Sequence, residues 1–205
     1  MAAALALLGP ASLILHQADQ SALTDQVAPA LEQQYTRSVA TVPETHPPSG
    51  YTLEPVSSEQ SSQELLWLAR CIYSETKRPV EQLLVAWVIR NRVETQYRSN
   101  TSYRGVVLDP YQFSAFNRGS YSRTYYSSLG VGTHNPQWQQ ALSIARYVMH
   151  APPSERPFSI MTRHFYSAQS MNGSRPPHWA RDLHPVQVEE HMIDNQRFRF
   201  YTGVL

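Results

Sequence analysis

The sequence predicts an α+β domain, helix-rich with a small antiparallel sheet, preceded by a largely irregular N-terminal segment. Three observations carry that expectation. Apolar residues recur at helical spacing in separate stretches between Glu64 and His150. Two short runs rich in aromatic and β-forming residues, Phe158 to Tyr166 and Arg197 to Tyr201, follow them. Before them, Pro43, Pro47, Pro48 and Pro55 exclude a long helix.

In chain order, Ala2 to Leu15 is almost wholly apolar, interrupted by Gly9-Pro10, and reads as an export signal or anchor over residues 1–15. It lacks a positively charged start, and at about fourteen residues it is short for a membrane span. Export to the periplasm or cell envelope is the expectation, with membrane association through this segment. Residues 16–61 lack sustained periodicity and are rich in Gln, Ser, Thr and Pro, as in a linker. A short helix over Ser21 to Arg37 is compatible with that. The working domain is placed at residues 62–205.

The first helix of this domain is expected over Glu64 to Thr76, starting near Ser62. Leu65, Leu68, Ala69 and Ile72 fall at i, i+3, i+4 and i+7, one buried face. Pro79 suits the first turn of a second helix, in which Val80, Leu83, Leu84, Trp87, Val88 and Asn91 share a face. Asn91 is the polar member of that face and needs either core hydrogen bonds or a substrate. Residues 95–136 read mostly as loop, with Gly105, Asp109-Pro110, Gly119, Gly130 and Gly132 as punctuation. Asn135 is positioned to cap a third helix, Gln137 to His150, with Trp138, Ala141, Leu142, Ala145 and Val148 inward; Pro152-Pro153 stops it.

Composition narrows the function. Net charge is +1, too little field to argue for nucleic acid. Twelve Tyr and four Trp are enough to fill a core and still leave rings for stacking on sugars. The single cysteine, Cys71, lies among apolar neighbours and reads as a small buried hydrophobe. No cofactor is called for, and no motif bears on oligomeric state.

The most informative residue is Glu75. It lies three residues beyond Ile72 and so prolongs the buried stripe of the first helix. A carboxylate there is costly unless it is paired, for instance with Arg78, or kept protonated. A carboxylic acid with a raised pKa is what cleavage of a glycosidic bond requires.

Three islands extend this reading. The first is Ala69-Arg70-Cys71-Ile72-Tyr73-Ser74-Glu75 with the helix Val85 to Val93, which contains Asn91-Arg92-Val93. The second is Asn100-Thr101 and Gly105-Val106-Val107, leading to Gln112-Phe113-Ser114. The third is His164-Phe165-Tyr166, with Trp179 downstream and Arg199-Phe200-Tyr201 closing. In this order, over roughly residues 62–203, the chain resembles the cortex-lytic cell wall hydrolases of the SleB type. The resemblance implies a lysozyme-like catalytic domain acting on peptidoglycan glycan strands. It implies Glu75 as general acid and base of a lytic transglycosylase or muramidase, and Gln112, Phe113 and Ser114 on the loop lining the saccharide groove. It also places Tyr166 in the strand wall near the acid and Trp179 as a sugar platform, with Asn91 as a further hydrogen-bonding candidate. The link Thr76-Lys77-Arg78-Pro79 departs from the glycine-containing turn usual in that family, and the stretches Tyr121 to Gly132 and Ser170 to Asp182 look longer than its minimum. Nothing in residues 16–61 resembles a peptidoglycan-anchoring repeat.

Glu81, Asp109 and Asp182 offer no clear second catalytic carboxylate and have ordinary surface explanations. Two rival functions stand beside the glycosidase. His164, His178, His184 and His191, with Asp182 and Glu189-Glu190, raise a metal-dependent amidase or peptidase, although no His-Glu-x-x-His arrangement is present. The second rival is a non-catalytic glycan-binding or envelope-assembly module that retains the fold.

Overall fold

The computed structural model describes residues 58–171, 175–188 and 197–204. The expected signal, most of the linker, the helix over Ser21 to Arg37, and Glu189, Glu190 and His191 lie outside the described residues. Helix α1 spans Ser58–Glu75, α2 Pro79–Glu94, α3 Tyr103–Leu108, α4 Ser122–Ser128 and α5 Pro136–His150. Strands β1 (His164–Ser167) and β2 (Phe198–Tyr201) form an antiparallel pair. The α+β expectation holds.

The core is built where α1, α2 and α5 meet. Leu68, Ala69, Cys71 and Ile72 of α1 pack with Leu84, Trp87 and Val88 of α2 and Trp138, Ala141, Leu142, Ala145 and Val148 of α5, all fully or almost fully buried. Helix α5 begins as expected: Pro136 occupies the first turn and the Asn135 side chain accepts from Trp138 N at 3.0 Å.

Helix α2 differs from the one-faced helix expected of it. Val80 and Leu83 are only half-buried, while Val85, Ala86 and Ile89, off that stripe, are enclosed. With α1, α3, α5 and β1 packed around it, α2 keeps only a narrow, partly exposed strip (Val80, Leu83, Arg90 and Glu94), so its buried apolar residues cover most of its circumference.

Helix α1 begins at Ser58, not near Ser62. Glu64 starts nothing in its own helix; its carboxylate accepts from Tyr103 N at 2.5 Å and Arg104 N at 3.3 Å, satisfying free donors at the start of α3. The expected loop over 95–136 thus contains α3, α4 and two 3₁₀ turns, Tyr97–Ser99 and Ser114–Phe116. Gly105, expected as a loop breaker, lies inside α3 because a side chain would not fit: a Cβ there would sit 2.9 Å from Asn100 Oδ1.

The strand expected from Phe158 shrinks to His164–Ser167. Before it, Asn91 Nδ2 donates to Ser159 O and Thr162 O at 3.1 and 2.9 Å, Thr162 N closes a turn on Ser159 O, and Arg92 Nε donates to Arg163 O at 2.7 Å. Carbonyls bound in this way hold the segment in a turn against α2 and leave it out of the ladder.

Candidate active site

Helix α1 ends at Glu75, and Pro79 begins α2 three residues after Thr76. The junction is fixed by a buried carboxylate, Glu81. Thr76 Oγ1 donates to Glu81 Oε2 at 2.5 Å, and Arg197 reaches the same carboxylate with Nε–Oε1 at 2.7 Å and Nη2–Oε2 at 3.2 Å. At 3% exposure, Glu81 is not the surface residue expected of it. It ties the end of α1 to the start of β2, and these two ends meet at a cleft.

The cleft has a volume of about 320 Å³. Ser74 and Glu75 come from the last turn of α1, and Ser114 from the 3₁₀ turn after α3. The opposite wall is Ser167 at the end of β1, Gln169 and Ser170 just beyond it, and Arg197 and Phe198 at the start of β2. Hydroxyls, an amide and one guanidinium dominate this lining, a set suited to the hydroxyl and acetamido groups of a saccharide.

Within it, Glu75 has no hydrogen bond or ion pair among the described residues. Arg78 pairs with Glu81 at 3.7 Å and not with Glu75. Burial pushes the Glu75 carboxyl from its ordinary 4.5 up to about 7, against an opposing pull from the Arg92 guanidinium. Its place at the carboxyl end of α1, with no basic residue in the last turn, opposes ionisation in the same direction. Near neutrality the group can both give and take a proton.

Of the residues expected at the site, the structure brings Glu75 and Ser114 together. Gln112 sits two residues before Ser114, half-buried, and is not part of the cleft lining. Phe113 is buried beneath the loop, 6.4 Å from Phe165 between ring centres. Three placements need correction. Asn91 is fully enclosed and spends its amide on two backbone carbonyls, so it cannot contact substrate. Tyr166 pairs with Arg199 across the sheet, whereas the cleft is lined by the neighbouring pair Ser167 and Phe198. Strand alternation therefore turns Tyr166 to the other face. There it stacks on Tyr201 at 5.7 Å and packs with Ala180 and Val204. Trp179 lies in that same second cluster, edge-on to Tyr166 at 5.9 Å, and not in the cleft.

The described histidines of that group, His164, His178 and His184, do not assemble. His164 is buried, shares a hydrogen bond with the Tyr97 hydroxyl at 3.0 Å and packs on Trp179; burial, with Arg92 and Arg163 nearby, brings its pKa down to about 4. His178 and His184 are exposed. Among the described residues no group of three or more His, Cys, Asp or Glu is close enough to share a metal ion.

Sequence reasoning missed Ser167, Gln169, Ser170 and Arg197 as cleft residues and Glu81 as their anchor. Parity along β1 could have pointed to Ser167; the others depend on contacts that only folding creates.

A family model described as Cell Wall Hydrolase matches residues 77–198, well over half of the chain. The match begins just after Glu75 and takes in Ser114, Ser167, Arg197 and Phe198 of the cleft. Neither the curated proteins nor the solved structures give a match. On the extent of that match, the chain belongs to the cell wall hydrolase family.

Proposed function

We propose that this cell wall hydrolase is a glycosidase of the lytic transglycosylase kind, cutting the β-1,4 bond between N-acetylmuramic acid and N-acetylglucosamine. One observation carries the reading: among the described residues a single carboxyl, Glu75, stands unpaired in a polar cleft, and burial raises its pKa to about 7. Protonated Glu75 donates to the glycosidic oxygen as positive charge develops at C1 of the muramic acid ring. The resulting carboxylate then takes the proton of that sugar's own 6-hydroxyl, whose oxygen closes on C1 to give a 1,6-anhydro end. Glu75 is neutral again when the cycle ends, and no water is consumed.

This route needs one carboxyl where hydrolysis uses two. The described cleft lining offers only Glu75, and the nearby buried carboxylate, Glu81, is committed to Arg197 and Thr76. Ser114 and Ser167 are positioned to bond sugar hydroxyls or acetamido groups. Gln112, at the base of the same loop, is a more distant candidate. Peptidoglycan lies outside the cytoplasmic membrane, so export, with Ala2 to Leu15 as the signal, belongs to the same proposal.

Mass spectrometry of sacculi digested by the purified protein tests the chemistry. The expected products end in 1,6-anhydromuramic acid. Fully hydrated reducing ends would replace this route with a muramidase, and release of intact glycan from peptide would overturn the glycosidase altogether.

A further inference from the structure

Arg197 stands in the cleft with one edge of its guanidinium committed. Nε and Nη2 both engage Glu81, at 2.7 and 3.2 Å, and that carboxylate is 3% exposed. A guanidinium is a rigid planar fork, so two bonds to a fixed carboxylate also fix the direction of its third nitrogen. That nitrogen, Nη1, donates to Gln169 Oε1 at 3.4 Å.

Gln169 is tethered through its backbone as well. It sits in the 3₁₀ turn Ala168–Ser170 that follows β1, and Ala168 N donates to Arg197 O at 2.8 Å. Arg197 therefore holds the turn by its main chain and the Gln169 side chain by its guanidinium. Gln169, Ser170, Arg197 and Glu75 all line the one cleft.

The contact decides which end of the Gln169 amide is left over. Arginine has donors only, so it can bind the amide's oxygen and never its nitrogen. With Oε1 engaged, Nε2 keeps two N–H donors and has no hydrogen-bond partner among the described residues. The side chain is exposed in the cleft lining and adds nothing to the core.

A group that can only donate discriminates among the features of a glycan strand. Sugar hydroxyls both donate and accept, so Ser114, Ser167 and Ser170 of the cleft serve them equally well. An acetamido carbonyl accepts only, and suits Nε2. Removing the acetyl group leaves an ammonium at neutral pH, a donor and a cation set against Nε2 and beside the Arg197 charge.

We propose that Gln169 is a specificity-determining residue: its Nε2 donates to the acetamido carbonyl of a bound sugar, so that the cleft selects N-acetylated over de-N-acetylated glycan. The inference deepens the proposed function and rests on the cleft being the glycan site.

Peptide-free glycan strands, before and after chemical de-N-acetylation, test this as soluble ligands. Binding is measured in the Glu75→Gln background, which in the proposed mechanism cleaves nothing and removes the lining carboxyl that could attract an ammonium group. The readout is the ratio of the two dissociation constants. Gln169→Ala should lower the preference for acetylated strands by about fivefold, the effect of losing one net hydrogen bond. Gln169→Glu keeps an acceptor for Arg197 and turns the donor into a second acceptor, so it should lower the ratio further and favour the de-N-acetylated strands. Gln169 is exposed, so both variants should fold as the parent does. An unchanged ratio in either variant overturns the proposal, as does equal binding of both strands by the Glu75→Gln parent. If Glu75→Gln lysed sacculi at the wild-type rate while the ratio still moved with Gln169, the glycosidase reading would fail and this assignment would stand.

Discussion

In the proposed reaction Glu75 would combine function with an energetic penalty. Its carboxyl is held near 7 in the fold and near 4.5 in the unfolded chain, so between these values the folded state binds the extra proton. Its contribution therefore favours folding at low pH and declines as pH rises from 4.5 through 7. His164 has the opposite sign: neutral in the fold down to about 4, protonated in the unfolded chain below 6.5, it removes stability as pH falls over that range. The two contributions largely offset each other. We therefore expect Glu75→Gln to be more stable than the wild type at pH 8 by about 1–3 kcal/mol, a gain that disappears by about pH 4.5. Urea melts at the two pH values check it; an equal or lower midpoint for the variant at pH 8 would show that folding does not raise the Glu75 pKa. The acid was legible in the sequence because helical spacing alone placed it at the margin of a buried face. Asn91 had the same signature and a different fate, since the carbonyls of Ser159 and Thr162 that satisfy its amide lie about seventy residues away in the chain.

Among the elements, the sheet decides which side chains meet the acid. A two-residue period leaves only two choices for β1, either His164 and Tyr166 or Phe165 and Ser167 toward the cleft. The family resemblance argued for Tyr166; the register with β2 puts Ser167 at the cleft, opposite Phe198. Tyr166 instead stacks on Tyr201 and meets Trp179 edge-on in the second cluster. What holds β2 at the cleft is Arg197 on the buried Glu81 carboxylate. Glu81→Gln should lower stability by about 3 kcal/mol, because it leaves a partly buried guanidinium short of its partner. It should also raise KM more than it lowers kcat, since the Arg197 wall loosens while Glu75 stays on α1. Denaturant melts and steady-state kinetics read both effects, and wild-type stability in this variant would mean the pair does not organise the junction. The helices α1, α2 and α5 were readable from their apolar residues and from the Asn135 cap. The short α3 was not, because Glu64, about forty residues earlier in the chain, supplies the acceptor for the first donors of α3.

At the scale of the molecule, one enclosed helix organises everything else. Largely enclosed, α2 carries Asn91 beneath the turn before β1 and Glu81 beneath the start of β2. The end of α1, the Ser114 turn and the mouth of the sheet converge on one polar cleft as a result. The most direct test of the whole is turnover of purified sacculi by Glu75→Gln, with the amount of protein bound to the same sacculi measured alongside. A loss of about a thousandfold in rate with binding retained is the expected result, since glutamine keeps the shape and has no proton to donate. Lysis at the wild-type rate would contradict the account at its centre and leave Glu75 a buried carboxyl without a catalytic role.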